Sequence, residues 1–356
     1  MSEVLVKKKN RDSNIELLRI IMMIIIVGHH YIVNSGIIDV INSNIVQSVC
    51  GIKDYFALVF GWGGKTAINV FLLITGYFSC KQNFNLKKII FFCLEIMFYT
   101  IVIYCIFLFS GYEKFNLLDF GKMILTIPYE FGKGFTSSYI ALYFCIPFVN
   151  KLILSIEKKE FEKLLIVLLV IFTVISTFFL NTTFEYLGWY ITVYLIGAYI
   201  RMYPISWFDN KKITGGGMLI CLLLSWLSVV FILFVSNKIG RVLPYFYFVA
   251  DSNKILAIFT AVFMFLFAKS INIGSNNFVN LLSASTFGVL MIHANSDTMR
   301  KWLWQDVCKN VENFTSSSLL QFIFHAVVCT LVVYIVCLFI DIIRKNILNI
   351  LMKNGR

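Results

Sequence analysis

The chain has 356 residues, 59% of them hydrophobic and only 14% charged, and its mean hydropathy is +0.82. These values exclude an ordinary soluble globular domain and describe an all-α polytopic integral membrane protein. The formal charge of +12 is assigned to loops on the cytoplasmic side, where Lys and Arg set topology, rather than to a nucleic-acid surface.

A crossing helix needs about 20 apolar residues. About ten such segments are predicted: 15–33, 62–80, 86–110, 136–156, 162–180, 184–202, 217–236, 252–269, 277–296 and 319–343. They form one membrane domain over 15–345, between a cytoplasmic amino-terminal tail (1–14) and a cytoplasmic carboxyl-terminal tail (346–356). The first segment ends in His-His-Tyr and runs on through Asn34, Ser35 and Gly36 without a small-residue cleavage site, so it is expected to remain as a helix. Pro147 falls inside the fourth, where neighbouring helices can accommodate it.

With the amino terminus inside, 19 of the 31 Lys and Arg fall on the cytoplasmic side and 11 outside, with Arg19 alone inside a helix. The even number of segments and this bias place both termini in the cytoplasm. The outer loops, 34–61, 111–135, 237–253 and 297–318, are long enough to form an acceptor surface. The nine cysteines are scattered and show no metal or redox spacing, so they read as small core residues.

Chemistry is sought where polar residues interrupt apolar runs. Arg19 and His30 are eleven positions apart, which places them on nearly one helix face, ~16 Å apart along the axis. Glu16 stands three residues before Arg19, within pairing reach. Two readings stay open for these residues: an anchoring cation with a titratable base in one cavity, or a snorkelling arginine with packed histidines. A transporter using Glu16, Arg19 and His30 as a relay is a third, though no inverted repeat supports it. His293 and His325 are predicted at a depth similar to that of His30, with His325 read as a satisfied bundle histidine. No metal is expected: no HExxH or equivalent spacing occurs, and the adjacent His29 and His30 point about 100° apart. Nucleophile-elbow and phosphate-loop motifs are also absent from the sequence.

Five stretches, in order, resemble the membrane acyltransferase-3 family, which includes O-acetyltransferases of bacterial surface polysaccharides. They are "NIELLRIIMMIIIVGHHY", "INVFLLITGYFSC" (68–80), "SSYIALYFCIPFVNKLI" (137–153), "WYITVYLIGAYIRMY" (189–203) and "ASTFGVLMIHAN" (284–295). The resemblance implies transfer of an acyl group, most often acetyl from cytoplasmic acetyl-CoA, to a hydroxyl of a cell-surface polysaccharide or its lipid-linked precursor. It implies a bacterial inner-membrane location with lipids, acyl-CoA and a carbohydrate as partners; succinyl transfer is the alternative within the class.

By the same resemblance His30 is the base or acyl acceptor, and Arg19 holds an anionic part of the donor or positions Glu16. Lys87 and Lys88 stand where relatives commonly have arginines, which keeps charge but loses forked phosphate binding. His293 matches a recurrent histidine and, with Tyr139, is expected to contact substrate. Thr75 for the usual serine, and Leu290-Met291 before Ile-His, depart from the pattern.

Overall fold

The computed structural model describes residues 12–82, 85–125, 134–179 and 186–354. Residues 1–11 of the expected amino-terminal tail, and 355–356, lie outside the described residues. Among the described residues every regular element is a helix. The elements are α1 (Ser13–Val33), α2 (Ile37–Val46), α3 (Ile52–Gly61) and α4 (Gly64–Ser79), then α5 (Leu86–Phe109), α6 (Leu117–Ile124) and α7 (Phe135–Ser155). α8 (Lys158–Leu169) continues through a π turn, Val170–Ile175, to Phe178. There follow α9 (Tyr186–Met202), α10 (Lys211–Ile239), α11 (Ile255–Ser270), α12 (Asn277–Ser283), α13 (Thr286–His293), α14 (Asp297–Lys301), α15 (Asn310–Ser316) and α16 (Leu319–Asn354). The last helix thus occupies most of the stretch read as a carboxyl-terminal tail.

All ten predicted segments contain helix, but the number of spans is corrected. Among the described residues, seven helical stretches are long and apolar enough to cross a membrane, or eight if the bent pair Asn277–His293 and Asp297–Ser316 counts as one span. α9 has 17 residues and α11 has 16, both short of the ~20 a crossing helix needs. The segment predicted over 252–269 includes Ser252, Asn253 and Lys254, which precede α11 as buried polar residues. The ninth segment is interrupted at 284–285 and ends at His293, where the chain bends by 95° into Asp297–Ser316, a helical stretch inside the predicted outer loop 297–318. An apolar window registers composition but neither caps nor bends, so ten overcounts, and the parity argument for the termini loses its footing.

Asparagines mark several helix starts. The side chains of Asn85, Asn210 and Asn276 accept hydrogen bonds from first-turn amides of α5, α10 and α12, supplying partners that those amides lack within the helix. α4 is the hub: the span it forms with α3, Ile52–Ser79, is 72% buried, whereas the α5 and α10 spans are 22% buried and turn apolar side chains outward to lipid. α1, α9 and α11 pack directly on α4. The α4–α9 crossing is backbone on backbone. A Cβ on Gly76 would lie 2.1 Å from the Tyr194 carbonyl oxygen, and one on Gly197 would lie 2.3 Å from that of Leu73. Glycine is required at both places, the small-residue device by which membrane helices approach closely.

Polar side chains hold the hub where apolar packing gives little direction. Asn69 donates to the Ser252 carbonyl (2.6 Å) and accepts from Trp189 Nε1 (3.1 Å). Asn150 donates to the Ser79 carbonyl (3.0 Å) and accepts from the Tyr194 hydroxyl (2.7 Å). The π turn after α8 frees carbonyls that would otherwise be bonded within the helix. Asn253 donates to the Phe172 carbonyl (2.9 Å), Lys254 to that of Ser176 (2.7 Å), and the Tyr247 hydroxyl to that of Thr177 (2.7 Å). On α16, buried Asp341 accepts from Tyr99 (2.7 Å) and Arg344 (2.7 Å) and pairs with Lys345 (2.7 Å), while Arg344 also pairs with Glu95. That network ties α16 to α5 and, through Lys345 donating to the Ala284 carbonyl (2.6 Å), to the α12–α13 break.

Candidate active site

The packing of α1, α4, α5, α7 and α13 leaves a cavity of about 1540 Å³ that follows one face of α1 from Glu16 through Arg19 and Met23 to His30. The predicted face of α1 is therefore the cavity wall. α4 runs antiparallel to α1, so Ser79 lies at the Glu16 end and Lys65 at the His30 end.

At one end stand two imidazoles from helices far apart in sequence. His30 Nδ1 is 3.0 Å from His293 Nε2, and His293 Nδ1 is 2.6 Å from the Val289 carbonyl oxygen. A carbonyl only accepts, so His293 carries its proton on Nδ1 and, as a neutral ring, presents Nε2 as an acceptor. His30 must then donate through Nδ1, which leaves its Nε2 with a free lone pair. The chain of bonds fixes His30 in the tautomer a general base requires. His293, which the sequence reading assigned to substrate, is fully buried and touches His30.

His29 also lines the cavity, so it is not a lipid-facing residue. Its Nδ1 lies 2.5 Å from the Gly61 carbonyl oxygen and its ring packs against Gly64. His325 lies apart from this wall, with Nδ1 2.7 Å from the Tyr31 hydroxyl, a bundle histidine with its own partner.

The other end is cationic. Arg19 pairs with Glu16 only at 4.0 Å, its Nε is buried without a hydrogen-bond partner, and Glu16 accepts from Ser283. Lys88 reaches over the Tyr143 ring at 5.5 Å and lines the cavity; Lys87, one position before it, is absent from the wall. Successive helical residues point about 100° apart, and here that turn takes Lys87 off the wall. Arg201 was missed. It donates to the Tyr77 hydroxyl (3.0 Å), stacks on that ring at 4.9 Å and lines the same mouth. In sequence it passes for a loop cation at the end of "IGAYIRMY"; its role comes from the α4–α9 crossing, which sets Tyr77 beneath it. Lys88 and Arg201 thus rest on tyrosine faces rather than on carboxylates, which leaves their charge available to an anion.

Between the two ends Tyr139 lines the wall, and its hydroxyl lies 2.7 Å from Thr75 Oγ1. Thr75 spends its own proton on the Phe71 carbonyl (2.8 Å), so Tyr139 donates to Thr75 and offers the cavity lone pairs only. The threonine that departs from the expected serine still supplies the oxygen this bond needs. The arrangement combines an imidazole base at one end with an anion cradle at the other, joined by one continuous space.

A family model described as an acyltransferase domain matches residues 12–341. No curated protein and no solved structure matches the chain.

Proposed function

Since the chain belongs to the acyltransferase-3 family and is a membrane acyltransferase, we propose that it moves acetyl from acetyl-CoA to a hydroxyl of a cell-surface polysaccharide or its lipid-linked precursor. The observation that carries this reading is the single cavity with cations at one end and the His30–His293 pair at the other. Arg19, Lys88 and Arg201 would receive the donor's phosphates, with the pantetheine arm extending along α1 toward His30. Lys87 has no part in this, because it faces away from the cavity.

In the proposed step, Nε2 of His30 takes the proton of the acceptor hydroxyl as its oxygen attacks the thioester carbonyl. The new C–O bond forms, the C–S bond breaks, and the departing CoA sulfur takes the proton from His30. His293 holds the ring, Glu16 restrains Arg19, and Tyr139 accepts from a donor or acceptor N–H or O–H. Because acyl-CoA is cytoplasmic, the Arg19 end faces the cytoplasm of a bacterial inner membrane, with the amino terminus on that side.

The test uses purified protein in lipid nanodiscs, radiolabelled acetyl-CoA and candidate glycans, with His30→Ala beside the wild type and circular dichroism as the folding control. Transfer that disappears in a folded His30→Ala protein supports the reading. Undiminished transfer removes His30 from it. Proteoliposomes that move a polar solute while never releasing CoA would put a transporter in its place.

A further inference from the structure

The acyl-transfer reading leaves the chemical character of the acceptor open, and the wall around His30 bears on it. Two half-buried cations line the cavity at that end, Lys65 on the first turn of α4 and Arg300 on α14. Lys65 follows Gly64, against which the His29 ring packs, and Arg300 lies one short helix beyond His293. Both are within electrostatic reach of His30.

Lys65 forms no ion pair among the described residues; its ammonium lies 5.8 Å from the Tyr186 ring centre. Arg300 pairs with Asp297, but that carboxylate is 98% exposed, and such a surface pair contributes little. Asn34 adds a buried Nδ2 without a hydrogen-bond partner on the same wall. Glu113, Lys122 and Asp297 are the other charged side chains at this end. Beside the His29–His30 turn, the wall thus offers the Lys65 ammonium, the Arg300 guanidinium and the Asn34 amide as donors.

We propose that the acceptor is anionic, with a carboxylate or phosphate close to the hydroxyl that receives the acyl group, held by Lys65 and Arg300. The proposal rests on the acyl-transfer reading for its setting. A cation that faces a partly dehydrated cavity without a counter-ion is stabilised when the ligand brings one. Arg300, with one edge engaged by Asp297, keeps guanidinium N–H groups for a second oxyanion. These cations could instead serve the negative charge that develops on the thioester oxygen, a role that alters turnover rather than acceptor affinity.

The experiment compares wild type, Lys65→Gln, Lys65→Arg and Arg300→Gln in nanodiscs with matched probes: methyl glucuronide against methyl glucoside, and glycerol 1-phosphate against glycerol. CoA release gives kcat and KM for each probe, and thermal unfolding without acetyl-CoA gives binding alone. Wild type is expected to prefer the charged member of one pair by about tenfold or more in kcat/KM, and which pair responds separates carboxylate from phosphate. Lys65→Gln and Arg300→Gln should abolish that preference by raising KM for the charged probe far more than for its neutral partner, and Lys65→Arg should restore it. Equal use of charged and neutral probes would overturn the proposal, as would variants that lower kcat alike for both. If no probe is acylated, stabilisation by a charged probe in wild type but not in Lys65→Gln upholds the anion site, and its absence overturns it. Failure of the acyl-transfer reading shows separately, as no CoA release with any acceptor.

Discussion

Two adjacent histidines on α1 receive different partners from the fold, and the difference assigns their chemistry. The Nδ1 proton of His29 goes to the Gly61 carbonyl, while that of His30 goes to the imidazole of His293. Replacing His30 by Ala is expected to lower kcat by about 10²–10⁴-fold, the range for loss of a general base. Replacing His293 by Ala releases the His30 tautomer without removing the base. A fall in kcat of about tenfold to a hundredfold is expected, with donor KM unchanged and partial recovery in His293→Gln, whose amide oxygen can accept from Nδ1. Initial-rate kinetics on the three variants check this; equal losses for His293→Ala and His293→Gln would reduce His293 to a packing residue. The spacing of Arg19 and His30 made the α1 face legible in sequence, because helical period alone relates them. The bond to His293 spans 263 positions, and depth in the bilayer is all that a sequence offers for such a pair.

Helix positions were legible wherever apolar runs are long, and illegible where a polar or small residue changes the path. The residues 284–285 interrupt a run that reads as one span, and the next helix after His293 leaves at 95°. His293, just before the bend, sits behind His30, and the turn that follows brings Arg300 to the cavity wall. Gly76 and Gly197 were readable as motif letters in "ITGY" and "IGAY", but their cause is the α4–α9 crossing. Gly197→Ala is expected to destabilise the protein by about 1–3 kcal/mol, since a methyl has no space beside the Leu73 carbonyl. The unfolding midpoint in detergent measures it; an unshifted midpoint would mean that the two backbones are further apart. Asp341→Ala strips the Arg344–Lys345 network of its central acceptor and is expected to cost about 3–5 kcal/mol, as for a broken buried pair. The double variant Asp341→Ala with Arg344→Met should cost less than the sum of the single changes, because it leaves no uncompensated guanidinium.

At the scale of the whole molecule, the cavity places cations and an imidazole pair at opposite ends of one helix, so on the proposed reading donor binding and acceptor activation become separable by mutation. Arg201 is the sharpest probe of the donor end, because it stands far from His30 along the cavity and is held by Tyr77 rather than by a carboxylate. Arg201→Gln is expected to raise the KM for acetyl-CoA about tenfold with kcat at saturating donor nearly unchanged, the signature of lost ground-state binding. Lys88→Gln should act in the same direction, while Lys87→Gln, whose side chain lies off the cavity, should leave KM unaltered. Arg201→Lys keeps the charge but loses the planar stacking on Tyr77 and the forked donors, so it should recover only part of the affinity. Rising salt should raise the wild-type donor KM more than that of Arg201→Gln, because the variant has one charge fewer to screen. A kcat loss in Arg201→Gln with donor KM intact would instead place this cation beside the reacting atoms and reverse the assignment of the two ends.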